Sequence, residues 1–252
     1  MESDIRELLE SETQRINSPE FIDSDPVQFP RRFETLQDIE IAALLSATIS
    51  WGNRKMICRN CDKMLSMMGG QPFRFVMDKG YEDLDDETNI HRTFFVRNLK
   101  HYLRGLHEIY RSHGSLQEYA RHIDISSSPF PAWRLVEGIN NELQQANGGA
   151  CDSRCLPSNL GNTALKRVNM ALRWLVRNDR IVDMGVWDVI TPAQLFIPLD
   201  VHVGDTAREL GLLTRKANDR RSVEEVTSSL REICPDDPVK FDYALFGIGM
   251  KL

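Results

Sequence analysis

Apolar residues recur along most of this chain at spacings of three and four, the period of a helix with one buried face. The few β-branched runs are too short or too polar to alternate as strands, so the pattern predicts an all-α fold. A first helix is expected over about 3–15, stopping before Ser18-Pro19 and Asp25-Pro26, because the residue ahead of a proline is pushed out of helical geometry. Asp38 is placed to cap a helix through IEIAALLSATIS that ends at Trp51-Gly52; it is apolar on nearly every side, as a helix at the centre of a bundle would be. Asn53 offers the cap of a second helix, RKMICRNCDKMLSMM, closed by Gly69-Gly70. A long helix over about 91–112 follows the acidic loop EDLDDE. The stretch SSSPFPAW, a short helix and then Gly148-Gly149 mark a joint near 126–150 between the halves of one two-lobed domain spanning 1–252. Beyond Ser158 the pattern predicts a helix over 162–177, an irregular stretch over 178–199, a short helix over about 200–210, and helices over 222–233 and 238–248.

Composition narrows the class. With 252 residues, 41% hydrophobic and 27% charged, the chain can bury the core of one large domain or two lobes, which excludes disorder and the mini-proteins. Its 31 basic residues against 37 acidic ones give a net charge of -6, which argues against a protein coated in cations for indiscriminate nucleic-acid binding. A local basic face would still bind, because a partner responds to the field at one surface. Two clusters qualify: Arg54, Lys55, Arg59 and Lys63 beside a single Asp62, and Arg92, Arg97, Lys100, Arg104 and Arg111 on the long helix. Either, taken alone, is usually just a solvated helix face. No run approaches the roughly 18 to 20 apolar residues of a membrane span, and MESDIRELLESE lacks a signal peptide's cationic head and apolar run. The expectation is a cytoplasmic protein with no membrane partner. Five cysteines, an odd number, read as reduced thiols; Cys58 with Cys61 and Cys151 with Cys155 are taken as small buried hydrophobes in preference to a four-thiolate zinc site.

The chemistry concentrates further on. In LPSNLGNTALKRVNMALRWLVRNDR, Leu165, Val168, Leu172, Leu175 and Val176 define a buried face, and Lys166, Arg173 and Arg177 share a neighbouring stripe. Such a stripe beside a turn with free backbone N–H groups forms a phosphate grip. Asp200 stands in FIPLDVHVGDTARELGLL immediately before a helix. It reads as an N-cap, or as the partner of a lysine whose amine, once desolvated and neutral, is a nucleophile.

An LP…G loop, a helix with an interior lysine, and a PLDVHV turn before a helix ending in RELGL together resemble the helix-hairpin-helix DNA glycosylase superfamily. The lysine-to-aspartate spacing is most similar to its archaeal 8-oxoguanine branch. The chain as a whole, through DPVQFPRRF, DIEIAALLSATISWGNRK, KRVNMALRWLVR and DPVKFDYALFGIGM, is also similar to a bacterial family of unknown function placed near those enzymes. The resemblance implies a two-lobed helical bundle with a cleft between the lobes, the motif-bearing lobe over 150–235 and the last helix closing the cleft. It implies excision of an oxidised purine such as 8-oxoguanine from damaged duplex DNA, with or without an abasic-site lyase step, and without cofactor or metal. Lys166 would attack the sugar C1′, and Asp200 would support the positive charge that develops there. Asp242 and Phe246, one helical turn apart, fall at an extruded base, with Gln28 and Trp51 as further candidates for its edge and face. The DNA backbone would fall to Arg54, Lys55, Gly161, Arg173, Arg177 and His202, the last read more readily as a local cap.

The chain departs from that pattern at the hairpin. The family has Leu-Pro-Gly-hydrophobic-Gly with lysine two residues on; here LPSNLG keeps one glycine, and Lys166 lies five beyond Gly161. Three extra residues are about one helical turn, so the amine is expected to keep its direction but sit roughly 5 Å deeper. A catalytically silent DNA- or RNA-binding protein that keeps this fold is the alternative reading, and a monomer is assumed in both. Residues 160–180 hold five basic groups against one acid, so the acidic total is expected to conceal one basic face.

Overall fold

Helices supply almost all the regular structure in the computed structural model, which describes residues 2–252. In chain order they are α1 (Glu2–Ile16), α2 (Pro19–Ser24), α3 (Leu36–Thr48), α4 (Arg54–Ser66), α5 (Pro72–Met77), α6 (Val96–His113), α7 (Leu116–His122), α8 (Pro131–Ala146), α9 (Lys166–Val176), α10 (Val201–Glu209), α11 (Arg220–Ile233) and α12 (Asp242–Met250). The class is all-α, as the periodicity predicts. No helix among the described residues is long and apolar enough to cross a membrane. The chain divides into two compact units, one of Asp23–Ser158 and one that joins the N-terminal segment through Ile22 to Asn159–Leu252. The division therefore falls at Ser158/Asn159 and not within 126–150, where α8 runs unbroken through most of the span expected to be a joint.

Within Asp23–Ser158, α3 is buried from Ile39 to Thr48, as its all-round apolar pattern requires. Its cap is Thr35, not Asp38: the Asp38 N–H donates to Thr35 Oγ1, and the Asp38 carboxylate accepts from Phe73 N at 2.7 Å, fixing the start of α5. Glu40, on this apolar helix, is fully buried, and its carboxylate accepts from Tyr110 Oη and from the Leu116 and Gln117 N–H groups at 3.1, 2.8 and 2.9 Å. It thus caps the first turn of α7 from another helix. Asn53 caps α4 through Met56 N as expected. The long helix starts at Val96 instead of 91, because Asn89–His91 pairs antiparallel with Phe94–Phe95 and Asn98 Oδ1 then accepts from Phe95 N.

In the other unit α12 packs against both α1 and α10. Two glycines allow this. A Cβ on Gly247 would meet Ile16 Cγ1 of α1 at 2.5 Å, and one on Gly249 would meet Thr206 Oγ1 and the His202 carbonyl of α10 at 2.8 and 2.9 Å. The N-terminal segment is tied to the turn before α12 by an ion pair from Lys240 Nζ to Glu10 at 2.7 Å and a bond from Thr13 Oγ1 to the Lys240 carbonyl. Trp174, Phe241 and Tyr243 are among the largest fully buried side chains of the molecule.

Candidate functional site

Lys166 opens α9. The residues between Gly161 and Lys166 form a loop, and Lys166 is the first residue of the helix. Leu165, buried beside it, sits at φ 48, a left-handed conformation that costs a β-carbon residue about 1–3 kcal/mol and persists only where surroundings enforce it. The loop is pinned from within the helix, where Asn169 Nδ2 donates to the Ala164 carbonyl at 3.1 Å. Gly161 is exposed and its N–H donates to Asn159 Oδ1 at 3.3 Å, so the turn's amide has an internal acceptor.

Asp200 does two things at once. Oδ1 accepts from Val203 N at 3.1 Å as the cap of α10, and Oδ2 faces Lys166 Nζ at 3.8 Å, with both side chains 27% exposed. Its carbonyl accepts from Asn218 Nδ2 at 3.1 Å, which fixes the turn. Lys166 Nζ also lies 3.5 Å from Met170 Sδ on the next turn. The two groups expected to do chemistry therefore meet, each at the first turn of a helix. Next to Asp200, Val201 is 62% exposed and His202 is also exposed.

Arg173 and Arg177 do not continue this face, which corrects their expected role on the DNA backbone. Both are buried. The Arg173 guanidinium donates to Asp242 Oδ2 and to Asp183 Oδ1 at 3.3 Å, and lies 4.3 Å above the Tyr243 ring. Arg177 donates to Asp237, Asp179 and Asp183 at 2.8, 2.5 and 2.9 Å. Two guanidiniums thus serve four carboxylates, and a buried excess of negative charge is costly. The ionisation of the aspartates responds. Burial pushes Asp183 up despite both arginines, and pushes Asp242 up to about 6 against the pull of Arg173, with the Asp200 charge adding and Lys166 opposing. Asp179 is buried too, yet backbone N–H groups from Ile181 onward and Arg177 hold it below the ordinary range. Asp242 is therefore a buried network member and not an exposed group waiting for a base edge; its Oδ1 is buried without a hydrogen-bond partner. Phe246, one turn along α12, is half-buried and meets Phe21 edge-on at 6.4 Å.

The remaining candidates lie in Asp23–Ser158. Gln28 Nε2 donates to the Asp23 carbonyl at 2.8 Å, and its Oε1 accepts from Arg32. Trp51 is half-buried, with the His91 ring edge-on at 4.6 Å. His91 is held between Asn60 Nδ2 and the Trp51 carbonyl, both at 2.9 Å, and burial lowers its pKa; the neutral ring donating from Nε2 satisfies both partners. Arg54 lies 3.6 Å from Asp25, while Lys55 is exposed. A polar cavity of about 460 Å³ in the same unit is lined by Arg97, Asn98, His101, Arg104 and Asp152. Its guanidiniums already pair with Glu87 and Glu82, so it is not an obvious anion pocket. Cys61 and Cys155 are buried, Cys151 is exposed, and all five cysteines are free thiols.

Sequence reasoning missed the arginine–aspartate network. A signal was there: Arg173 and Arg177, four apart, are followed by Asp179 and Asp183, also four apart. Asp237 and Asp242 carry no such signal, because only the tertiary fold brings α12 to α9.

No curated protein and no solved structure matches this chain. Residues 25–251 match the profile of the family described as protein of unknown function, DUF2400, and the chain belongs to that family.

Proposed function

We propose that this protein is a DNA base-excision glycosylase of the helix-hairpin-helix type, acting on an oxidised purine such as 8-oxoguanine, with Lys166 as nucleophile and Asp200 as its electrostatic partner. The observation that carries the reading is the approach of the Lys166 amine to the Asp200 carboxylate, 3.8 Å apart at the starts of α9 and α10. A lysine and a carboxylate held together, part-exposed and beside a strained backbone position, suit a step in which an amine attacks a sugar carbon that is gaining positive charge.

In that step the Lys166 nitrogen lone pair bonds to C1′ as the bond from C1′ to the base breaks. The electron pair of that bond leaves with the base, which takes up a proton. The sugar ring then opens, its oxygen gaining a proton and the nitrogen losing one, to leave a protonated imine between Lys166 and C1′. Asp200 Oδ2 is the nearest carboxylate able to accept the proton the amine must shed before attack. Its negative charge also favours the cationic sugar over the neutral one. His202 and Phe246, in the unit that carries Lys166 and Asp200, remain as phosphate and base candidates in this reading; Arg173, Arg177 and Asp242 do not.

Borohydride reduces the imine to a stable amine, so the test is trapping on duplexes that carry an abasic site or 8-oxoguanine. A covalent adduct lost in Lys166→Gln supports the reading. If no adduct forms and no base is released across a panel of damaged bases, while salt-sensitive binding persists, the protein is a binding module without chemistry.

A further inference from the structure

Of the two cationic helices in Asp23–Ser158, only one keeps its charge unpaired. On α6, Arg97, Lys100, Arg104 and Arg111 each meet a carboxylate, at 2.9, 2.7, 2.6 and 2.5 Å. On α4, Ile57, Cys61, Met64 and Leu65 are buried, while Lys55, Arg59 and Lys63 stand exposed. These three recur every four residues, so they form one stripe with about 6 Å of helix between successive positions. The one acid on that helix, Asp62, is drawn off by Arg32 at 2.5 Å.

The hairpin over 89–95 supplies a fourth cation. Lys63 Nζ donates to the Asn89 carbonyl at 3.0 Å and Asn60 Nδ2 donates to His91 Nδ1 at 2.9 Å, which lays the hairpin along α4. Arg92, at its tip, is exposed, and its guanidinium lies over Gly52, where a Cβ would meet Nη1 at 2.7 Å. Gly52 separates the Asn53 cap from Trp51, which is half-buried where Trp133, Trp174 and Trp187 are buried. None of Lys55, Arg59, Lys63 and Arg92 has a carboxylate partner among the described residues. A row of unpaired cations repels itself, and in a chain of net charge -6 it marks a surface kept for an anion.

We propose that this face binds a single-stranded nucleic acid, its phosphates along Lys55, Arg59, Lys63 and Arg92 and one base stacked on Trp51. A single strand presents regularly spaced phosphates together with uncovered base faces, and proteins that hold one pair a cationic track with aromatic side chains. In a duplex each base face is already covered by its neighbours. A lipid surface fits less well, because a helix lying on a membrane also buries apolar side chains in it. Leu8, Ile181, Val201, Met250 and Leu252, the exposed large apolar residues, all belong to the other unit. This binding is independent of the glycosylase reading: neither Lys166 nor Asp200 takes part, and no damaged base is needed.

The experiment titrates the full chain with a short oligothymidylate and follows tryptophan fluorescence, in which stacking reports on Trp51 because the other three tryptophans are buried. Quenching is expected, with an affinity that falls as salt rises at a logarithmic slope of about 3 for four phosphate contacts. Lys55→Glu combined with Arg59→Glu, both at exposed positions, should weaken binding by about tenfold or more. Lys216→Glu combined with Arg221→Glu, exposed in the other unit and equal in charge change, should weaken it by less than about threefold. Absence of quenching in the wild-type protein, or equal losses in the two double variants, overturns the proposal. So does tighter binding to the duplex of the same strand with oligodeoxyadenylate, or binding only to vesicles that contain phosphatidylserine.

Discussion

Asp200 carries two loads that different substitutions separate. Asparagine caps a helix about as well as aspartate, whereas alanine forfeits about 1 kcal/mol. Asp200→Asn should therefore keep the stability of the protein, and Asp200→Ala should lose roughly that amount in urea unfolding. Both should lose imine trapping, because neither keeps the charge that faces Lys166. If Asp200→Asn traps as well as wild type, Asp200 is only a cap. Asp242 adds a pH dependence of definite sign. Its folded pKa, about 6, is raised above the ordinary 3.8, so the folded state holds a proton that the unfolded chain releases first. The stabilisation from that proton is complete below pH 4 and is lost as pH rises through 6, at about 1.4 kcal/mol for each pH unit between the two values. The stability of wild type relative to Asp242→Asn should thus increase as pH falls from 7 to 4.5, read by urea unfolding at each pH. A constant difference would show that Asp242 stays ionised. Lys166 and Asp200 were legible as a pair because a recognisable spacing carried them. The state of Asp242 was not, since burial and the Arg173 contact exist only after folding.

At the scale of elements, local signals performed unevenly for physical reasons. The Asn53 cap and the all-apolar α3 were readable because a cap and an apolar surface are properties of adjacent residues. The start of α6 was not, because a short hairpin spanning 89 to 95 competes there with the helical pattern. The true cap of α3 was missed for a similar reason: Thr35 and Asp38 both qualify in sequence, and tertiary contact with Phe73 decides between them. The α10–α12 contact rests on Gly249, where a Cβ would meet the His202 backbone carbonyl as well as the Thr206 side chain. Gly249→Ala should cost about 1–3 kcal/mol in spite of alanine's better helix propensity. Gly247→Ala meets only the movable Ile16 side chain and should cost less. Equal losses in urea unfolding would show that the helices separate more readily than their packing suggests.

The charge pattern of the whole molecule changes most between sequence and structure. Five basic groups over 160–180 suggested a cationic face, yet Arg173 and Arg177 are spent on aspartates that lie beside them only in the fold. Breaking a buried pair leaves an uncompensated charge, so Arg173→Met should destabilise the protein by about 3–5 kcal/mol. If the protein binds DNA as proposed, Lys55→Ala should leave stability intact and reduce the salt dependence of that binding by about one in the logarithmic slope. The division into units was likewise illegible: proline and glycine clusters near 126–150 resemble a joint, while the return of α1 to Asn159–Leu252 depends on contacts spanning more than 220 residues, such as that from Thr13 to Lys240. In the proposed reaction Lys166 bonds to the sugar of a damaged nucleotide, and borohydride trapping on 8-oxoguanine and abasic duplexes detects that bond. An adduct is expected on the peptide containing Lys166, abolished in Lys166→Gln and retained in Lys216→Gln. An adduct mapped to another residue, or one that survives in Lys166→Gln, would contradict it.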